Sequence, residues 1–293
     1  MGMNCAQAFS ALSRQLAECY GDPGEGRSVA RIVMEDALHL YPPYQSGCIL
    51  NSDQLTCYER VARRLLDGEP VQYVLGEADF FGLKFIVGPA VLIPRPETEE
   101  LVYAAVQWLK SRKNQMDRVQ VLDVGTGSGC IAITLKAKCP WVSCTAIDVS
   151  EAALDLAREN AVRHSVEVQF IALDFLNTKT WDTLPTFDLI LSNPPYIPES
   201  ERKELAPRVR EFEPGTALFV PDHDPLLFYR ALSTFAEQKM SPTGALAAEC
   251  HAGYAQDTEE LWRQAGWPFV SLEKDLSGRP RMLWAGKTPH QRD

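Results

Sequence analysis

Asn193, Pro194, Pro195 and Tyr196 follow the apolar run Leu189-Ile190-Leu191 and Ser192 in the segment LILSNPPYIPES. Proline cannot continue the interior of a sheet, so a strand ends here. The residue before a proline is pushed to an extended backbone, and each proline holds φ at about −65°, so the loop is stiff. Neither proline offers an N–H. The loop offers acceptors instead, the Asn193 side-chain oxygen and backbone oxygens, together with the Tyr196 ring. Their complement is a planar group with two N–H donors, which is either an amide or the exocyclic amine of a base. An amide nitrogen is a poor nucleophile because its lone pair is delocalised into the carbonyl. Two acceptors that hold both N–H bonds can aim that nitrogen, and such orientation is worth up to about 7–11 kcal/mol.

Three earlier strand ends carry complementary chemistry. In VLDVGTGSGC, Val121 and Leu122 lead through Asp123 into Gly125, Thr126, Gly127, Ser128 and Gly129, and then into a helix. Glycine permits a tight turn and close approach of a ligand to the backbone. The end of the first strand of an open α/β sheet is where nucleotides bind. The next strand, TAIDVS, ends at Asp148, where an acid hydrogen-bonds a ribose diol. The third ends in ALDF, whose Asp174 and Phe175 suit the edge and face of an adenine. A dinucleotide asks for Gly-x-Gly-x-x-Gly aimed at a pyrophosphate. The spacing here is Gly-x-Gly-x-Gly, and the Asp123 carboxylate before it suits a cation better than a phosphate. S-adenosylmethionine offers a ribose, an adenine, an α-ammonium and a sulfonium. Its activated methyl is the electrophile that the Asn193 loop needs, with no metal and no covalent intermediate.

These residues need a scaffold that delivers four strand ends to one place. From residue 119 the chain alternates strand and helix: VQVLDVG, GCIAITLKAK, VSCTAIDVS, EAALDLARENAVRH capped by Ser150, VEVQFIALD, FDLILSN, DPLLFYRALSTFAEQKM, GALAAEC and DTEELWRQAG. Val166, Val168 and Phe170 fall on one face of the third strand. PFVSLEKD and RMLWAGK read as a closing antiparallel pair. This alternation predicts a mostly parallel sheet with helices on both faces.

Ahead of it the texture differs. Residues 1–77 carry helical periodicity, in ALSRQLAECYG (Leu12, Leu16, Cys19), SVARIVMEDALHL (Val29, Ile32, Val33, Leu40) and NSDQLTCYERVARRLLDGEP (Leu55, Val61, Leu65, Leu66). Gly21, Pro42-Pro43, Gly68 and Pro70 act as stops. Residues 78–97, ADFFGLKFIVGPAVLIPRPE, read as a β-hairpin linker. The long helix EELVYAAVQWLK (Leu101, Ala105, Trp108, Leu109) opens the third segment, 98–293.

A hydrophobic fraction of 45% in 293 residues supports a sizeable core. Net charge is −10, which argues against a non-specific nucleic-acid binder, since displacing counterions needs a basic surface. Neither a membrane-length apolar run nor a secretory leader is read in the sequence. Eight cysteines without a Cys-x-x-Cys pair predict reduced structural thiols in a cytoplasmic protein, with no disulfide framework and no metal site.

Taken together, GTGSG, SNPPYI, FFGLKFIV with VLIPRPETEELV, and REFEPGTAL (210–218) resemble the peptide-chain release factor glutamine N5-methyltransferases of the HemK/PrmC type. The resemblance runs from about residue 70 to the C-terminal end. NPPY alone is shared with adenine-N6 and cytosine-N4 nucleic-acid methyltransferases, so it marks the amine-methylating class. IPRPET discriminates further. The resemblance implies a Rossmann-like class I methyltransferase sheet behind a small helical domain that helps dock a protein substrate. It implies S-adenosylmethionine as cofactor and the glutamine of a Gly-Gly-Gln loop in class I release factors as substrate.

Carried over by position, Gly125 to Gly129, Asp148, Phe175 and Asn193 contact the cofactor. Asn193, Pro194 and Tyr196 are catalytic, and Asn193 to Tyr196 hold the glutamine amide. Phe81, Arg95, Glu97 and Thr98 lie near the cleft on the substrate side. A monomer without a membrane or direct nucleic-acid partner is expected. The sequence departs from the family in FVPDHDPLLFYR, where a glycine-rich turn is usual, and in a longer AAECHAGYAQ segment. His223 and His251 are read as loop histidines rather than bases. The alternatives are an adenine-N6 nucleic-acid methyltransferase, which asks for a basic cleft and a target-recognition domain, and a non-catalytic cofactor-binding adaptor.

Overall fold

A computed structural model describes residues 2–44, 47–113 and 118–288. The chain divides into two units: residues 1–77 with 206–212, and residues 78–205 with 213–293.

In the first unit, caps cut the chain into short helices. Helix α1 (Cys5–Tyr20) begins at Asn4, whose side chain accepts from the Ala6 and Gln7 N–H groups, and stops at left-handed Gly21. Helix α2 (Pro23–Ile32) is capped by Asp22 and runs on into a π-helical turn, Val33–Ala37. Helix α3 (Ser52–Leu66) opens with a capping box between Asn51 and Gln54. A one-turn helix, α4 (Val71–Leu75), follows Pro70. Leu12, Leu16, Val33, Met34, Val61 and Leu65 fill the core, and the Tyr58 hydroxyl donates to the Ala8 carbonyl at 3.0 Å. The distant segment 206–212 belongs to this unit. Its Arg208 pairs with Glu25 at 2.6 Å and lies over the Tyr20 ring.

Cys5 and Cys48 form a disulfide with a Cα–Cα distance of 5.5 Å, which corrects the expectation that every cysteine is a free thiol. The cause is local pairing. Asn4 and Ile49 make an antiparallel bridge, the Cys5 N–H donates to the Cys48 carbonyl, and the Leu50 N–H donates to the Met3 carbonyl. That pairing sets the two thiols face to face. Cys130, Cys139, Cys144 and Cys250 are buried free thiols.

The second unit opens with strands β1 (Glu77–Phe80) and β2 (Leu83–Ile86), which form a two-stranded sheet. Phe81 and Gly82 join them with φ of 53° and 74°, the positive pair that a tight hairpin turn requires. Helix α5 (Pro96–Arg112) buries Leu101, Ala105, Trp108 and Leu109. The main sheet contains β3 (Gln120–Val124), β4 (Ser143–Asp148), β5 (Gln169–Ala172), β6 (Phe187–Ser192), β9 (Met240–Glu249), β10 (Phe269–Lys274) and β11 (Pro280–Gly286). A further small pair is β7 (Ile197–Pro198) with β8 (Phe219–Val220).

The seven-stranded order is β10-β11-β9-β6-β3-β4-β5. The five strands from β9 to β5 are parallel, and β11 runs antiparallel between β9 and β10, the closing antiparallel pair that the sequence predicts. Apolar clusters cover both faces. Helices α6 (Cys130–Lys138) and α7 (Glu151–Arg163) follow β3 and β4. Strand β5 is shorter than VEVQFIALD suggests. Val166 and Val168 precede it, yet they still pack with Phe170 against one face of the core.

The strand order reverses between β3 and β6, because β3 continues to β4 on one side while β6 lies on the other. The carboxyl ends of strands flanking such a switch point form the crevice of an open α/β sheet. Register then decides which residues meet. Val124 lies opposite Ser192 and Ser192 opposite Ala248, so Gly125, Asn193 and Glu249 leave adjacent strands side by side.

Candidate active site

A cavity of about 450 Å³ opens at these strand ends, within the size range of small-molecule sites. Gly125, Thr126, Gly127 and Ser128 form one wall, Asp148 to Ser150 the next, and Leu173 to Leu176 a third. Asn193, Pro194 and Pro195 form the wall beside the first, with Arg95 and Thr98 from the IPRPET lead-in.

The glycine loop is shaped by conformation and by space. Gly125 and Gly127 have φ of 72° and 55°, and a Cβ on either meets nothing within 4 Å, so their faces are open to a ligand. Gly129 differs. Its φ is also positive, at 82°, but a Cβ there would in addition meet Ile133 Cδ1 at 2.7 Å and Ala157 Cβ at 3.2 Å, so backbone conformation and packing both favour glycine. Gly129 does not line the cavity. Asn160, fully buried on α7, holds the loop from behind: its Nδ2 donates to the Ser128 and Ile86 carbonyls and its Oδ1 accepts from the Ile86 N–H at 2.7 Å. Asp148 accepts from the Gly127 N–H through Oδ2 and from the Ser150 N–H through Oδ1, both at 2.9 Å.

Beneath the loop, Asp123 is completely buried. Its Oδ2 accepts from the Thr126 hydroxyl at 2.6 Å and the Ala132 N–H at 3.3 Å, while Oδ1 has no hydrogen-bond partner. Burial pushes its pKa up to about 7, against the pull of these two hydrogen bonds. A buried carboxylate with an empty acceptor next to the cavity wall fits a cationic ligand group.

Asp174 is exposed on the lining, with Oδ1 accepting from the Leu176 N–H. Phe175 also lines the cavity, but its ring is packed on Trp181 and Phe235 at centroid distances of 5.6 and 5.3 Å. It is only 6% exposed, so it is no free stacking face as the sequence reading had it. The exposed apolar side chains at that end are Val149 and Leu176, which the sequence reading passed over.

The Asn193 loop is tied to two other strands. The Tyr196 N–H donates to the Leu218 carbonyl, and β7 pairs with β8 directly afterwards. Asn193 Nδ2 donates to Thr98 Oγ1 at 2.9 Å, Thr98 Oγ1 donates to Glu249 Oε2 at 2.6 Å, and the Tyr196 hydroxyl donates to Glu249 Oε1 at 3.1 Å. Glu249 is 1% exposed, and burial holds its pKa above the usual carboxylate range. Burial, then the charge of Glu249, likewise raises the Tyr196 phenol. Glu249 escaped the sequence reading, although an acid at the end of a strand is the signal that pointed to Asp148.

Arg95 lines the cavity with its guanidinium engaged by Glu213, Nη2 to Oε1 at 2.6 Å. Phe81 and Glu97, expected near the cleft, do not line it. Phe81 occupies the hairpin turn, its N–H donating to Glu99 Oε1 and its ring packed against the sheet core. Glu97 stands in the first turn of α5, in the field of Arg281 and Glu249. Tyr196 also lies off the lining, directed at Glu249. Among the described residues no cluster of His, Cys, Asp or Glu is arranged to hold a metal, and no helix is long and apolar enough to cross a membrane.

Fold and site together define an α/β methyltransferase. The family model described as methyltransferase small domain matches residues 104–209, and that described as PrmC N-terminal domain matches residues 7–76. The chain is 43% identical over 237 residues to a release factor glutamine methyltransferase of Flavobacterium psychrophilum, covering 80% of this chain and 81% of the relative. A protein of the same description from Bacteroides thetaiotaomicron is 39% identical, covering 95% and 99%, and one from Koribacter versatilis is 35% identical, covering 98% and 99%. The chain belongs to the release factor glutamine methyltransferase family. Among solved structures, the hMettl16 catalytic domain in complex with the MAT2A 3'UTR hairpin 6 shares the fold, with a TM-score of 0.55 at 14% identity over 85% of this chain and 87% of that one.

Proposed function

We propose that this protein transfers a methyl group from S-adenosylmethionine to the side-chain amide nitrogen of the glutamine in the Gly-Gly-Gln loop of class I release factors. The observation that carries the reading is the orientation of Asn193. Its amide is held by the nitrogen, which donates to Thr98, so the oxygen is the acceptor left for an incoming –NH2 group. Pro194, without an N–H, leaves the adjacent backbone oxygens as further acceptors on a stiff frame.

When bound, the cofactor supplies the activated sulfonium methyl. Asp148 would hold its ribose hydroxyls, and Asp174 with Val149 and Leu176 its adenine. The open faces of Gly125 and Gly127 would admit its methionine portion, with buried Asp123 offsetting the ammonium charge. Asn193 and the Pro194 region orient the substrate nitrogen by accepting from both its N–H bonds. Orientation of this kind accounts for much of what a positioned site contributes.

The helical unit, about residues 1–77, is assigned to docking the protein substrate. Residues 78–97 are assigned as the linker and 98–293 as the catalytic domain. A translation substrate implies a cytoplasmic enzyme, and a monomer is proposed with it; the Cys5–Cys48 bond removes the thiol argument for that compartment. The acidic charge balance and the pairing of Arg95 with buried Glu213 favour a protein amide over a nucleic-acid base. Asn193→Ala tests the division of labour. Methyl transfer to a release factor should fall on the order of 1,000-fold while cofactor affinity stays within a few-fold. Equal loss of both would assign Asn193 to the cofactor alone.

A further inference from the structure

We infer that Glu249 is a positioning residue for methyl transfer, acting through Thr98 to fix which way the Asn193 amide faces; this rests on the amide-methylating reading of the site. The reasoning is a count of protons. Thr98 Oγ1 has one proton and lies 2.6 Å from Glu249 Oε2. An ionised carboxylate only accepts, so that proton belongs to the bond with Glu249. Thr98 must then accept from Asn193, and the group it meets at 2.9 Å has to be Nδ2. The Asn193 oxygen is thereby committed to the other side, as the acceptor for the substrate amide. The second carboxylate oxygen is held by the Tyr196 hydroxyl at 3.1 Å, which fixes the acid from the same loop that it orients.

Neutralising Glu249 undoes this logic. With a donor at that position Thr98 is free to send its proton to Asn193 Oδ1. The amide can then turn its NH2 towards the substrate NH2, donor against donor. The groups facing Glu249 suit the ionised state in the working enzyme. Thr98 and Glu97 come from α5, Tyr196 from the Asn193 loop, and the Tyr229 hydroxyl donates to the Glu249 carbonyl from the helix Leu227–Lys239. Cys250 follows in sequence, and Arg281 brings the compensating cation from β11, with Asp275 3.6 Å from its Nε. Burial raises the Glu249 pKa, and Thr98, Arg281 and Tyr196 oppose that rise. Protonation therefore falls above the ordinary glutamate range.

The test uses the full chain with a release factor and labelled cofactor, and compares Glu249→Gln, Thr98→Val and Thr98→Ser. Glu249→Gln and Thr98→Val should each lower kcat about 100-fold with KM for the factor and cofactor affinity changed less than about threefold. Thr98→Ser should recover most of what Thr98→Val loses. Wild-type kcat should fall as pH drops through the Glu249 pKa, and that acid limb should be absent from the residual activity of Glu249→Gln. A wild-type kcat in Glu249→Gln, or a Thr98→Ser as poor as Thr98→Val, overturns the inference. If Glu249→Gln does not fold, the Asn193 side-chain amide NMR signal of the wild type, identified by its absence in Asn193→Ala, decides. It should shift with the same protonation, and a signal invariant over that pH range overturns the inference. A wild type that leaves the release factor unmethylated defeats the functional reading instead, and the NMR titration still tests Glu249.

Discussion

Arg95 and Glu213 pair across 118 residues of chain, with Nη2 2.6 Å from Oε1. The other Glu213 oxygen accepts from the Ile93 N–H at 3.2 Å. Two stretches that look unrelated in the sequence, IPRPET and REFEPGTAL, are thus one structural device: a buried acid that pins both the backbone and the guanidinium of the cavity wall. Its conservative and disruptive replacements should separate. Glu213→Ala leaves a half-buried guanidinium and an N–H without their partner and should cost about 2–4 kcal/mol. Glu213→Gln, which can still accept from Ile93, should cost less than half as much. Urea unfolding measures both, and equal costs would mean that the charge of Glu213 carries the whole contribution and the bond to Ile93 none.

Asn160 bridges β2 and the glycine loop through three hydrogen bonds. Asn160→Leu fits by volume but strands the Ile86 N–H and two carbonyls, so a loss of about 3 kcal/mol is expected. Amide exchange at Ile86 should accelerate in proportion. Unchanged protection there would place the hairpin's stability elsewhere.

The glycines of one loop should divide into two classes. Gly129→Ala adds contacts with Ile133 Cδ1 and Ala157 Cβ to the backbone strain of a positive φ and should lower the melting temperature by several degrees. Gly127→Ala has open space and should cost about 1 kcal/mol of backbone strain, yet it should weaken cofactor binding more than Gly129→Ala does. Melting curves with and without cofactor give both quantities. The opposite ranking in affinity would move the ligand off the Gly127 face.

Much of this arrangement was legible from residue order alone. The parallel strands, the Ser150 cap and the ends at Asp148 and Asn193 are local signals, set by apolar runs and their breakers. What escaped is tertiary. Phe81 resembles a cleft aromatic until the hairpin turn claims it, and Phe175 resembles a stacking face until Trp181 and Phe235 cover it. Glu249 gains its meaning only from the Ser192–Ala248 register, and the 206–212 segment joins the helical unit through Arg208, a long-range contact that periodicity does not encode. The Cys5–Cys48 bond follows from a two-residue bridge too short to leave a pattern.

Asp123 should titrate near neutrality in the ligand-free protein. Its pKa rises from 3.8 to about 7 on folding, so the folded state holds the proton more tightly than the unfolded state. Its stabilising contribution is complete below about 3.8 and is lost as pH rises to about 7, a difference of roughly 4 kcal/mol. Asp123→Asn should flatten this part of the stability–pH curve. A cationic ligand favours the ionised acid, so cofactor affinity should rise between about pH 6 and 8 with release of a proton. Calorimetry in buffers of different ionisation enthalpy reads that proton. Proton uptake, or none, would separate Asp123 from the ligand charge.

The most direct measurement is tandem mass spectrometry of a class I release factor after incubation with this protein and S-adenosylmethionine, beside a duplex DNA control. The site predicts a single added methyl on the glutamine of the Gly-Gly-Gln loop and none on adenine. Methylation of the DNA, or of the factor at any other residue, would contradict it.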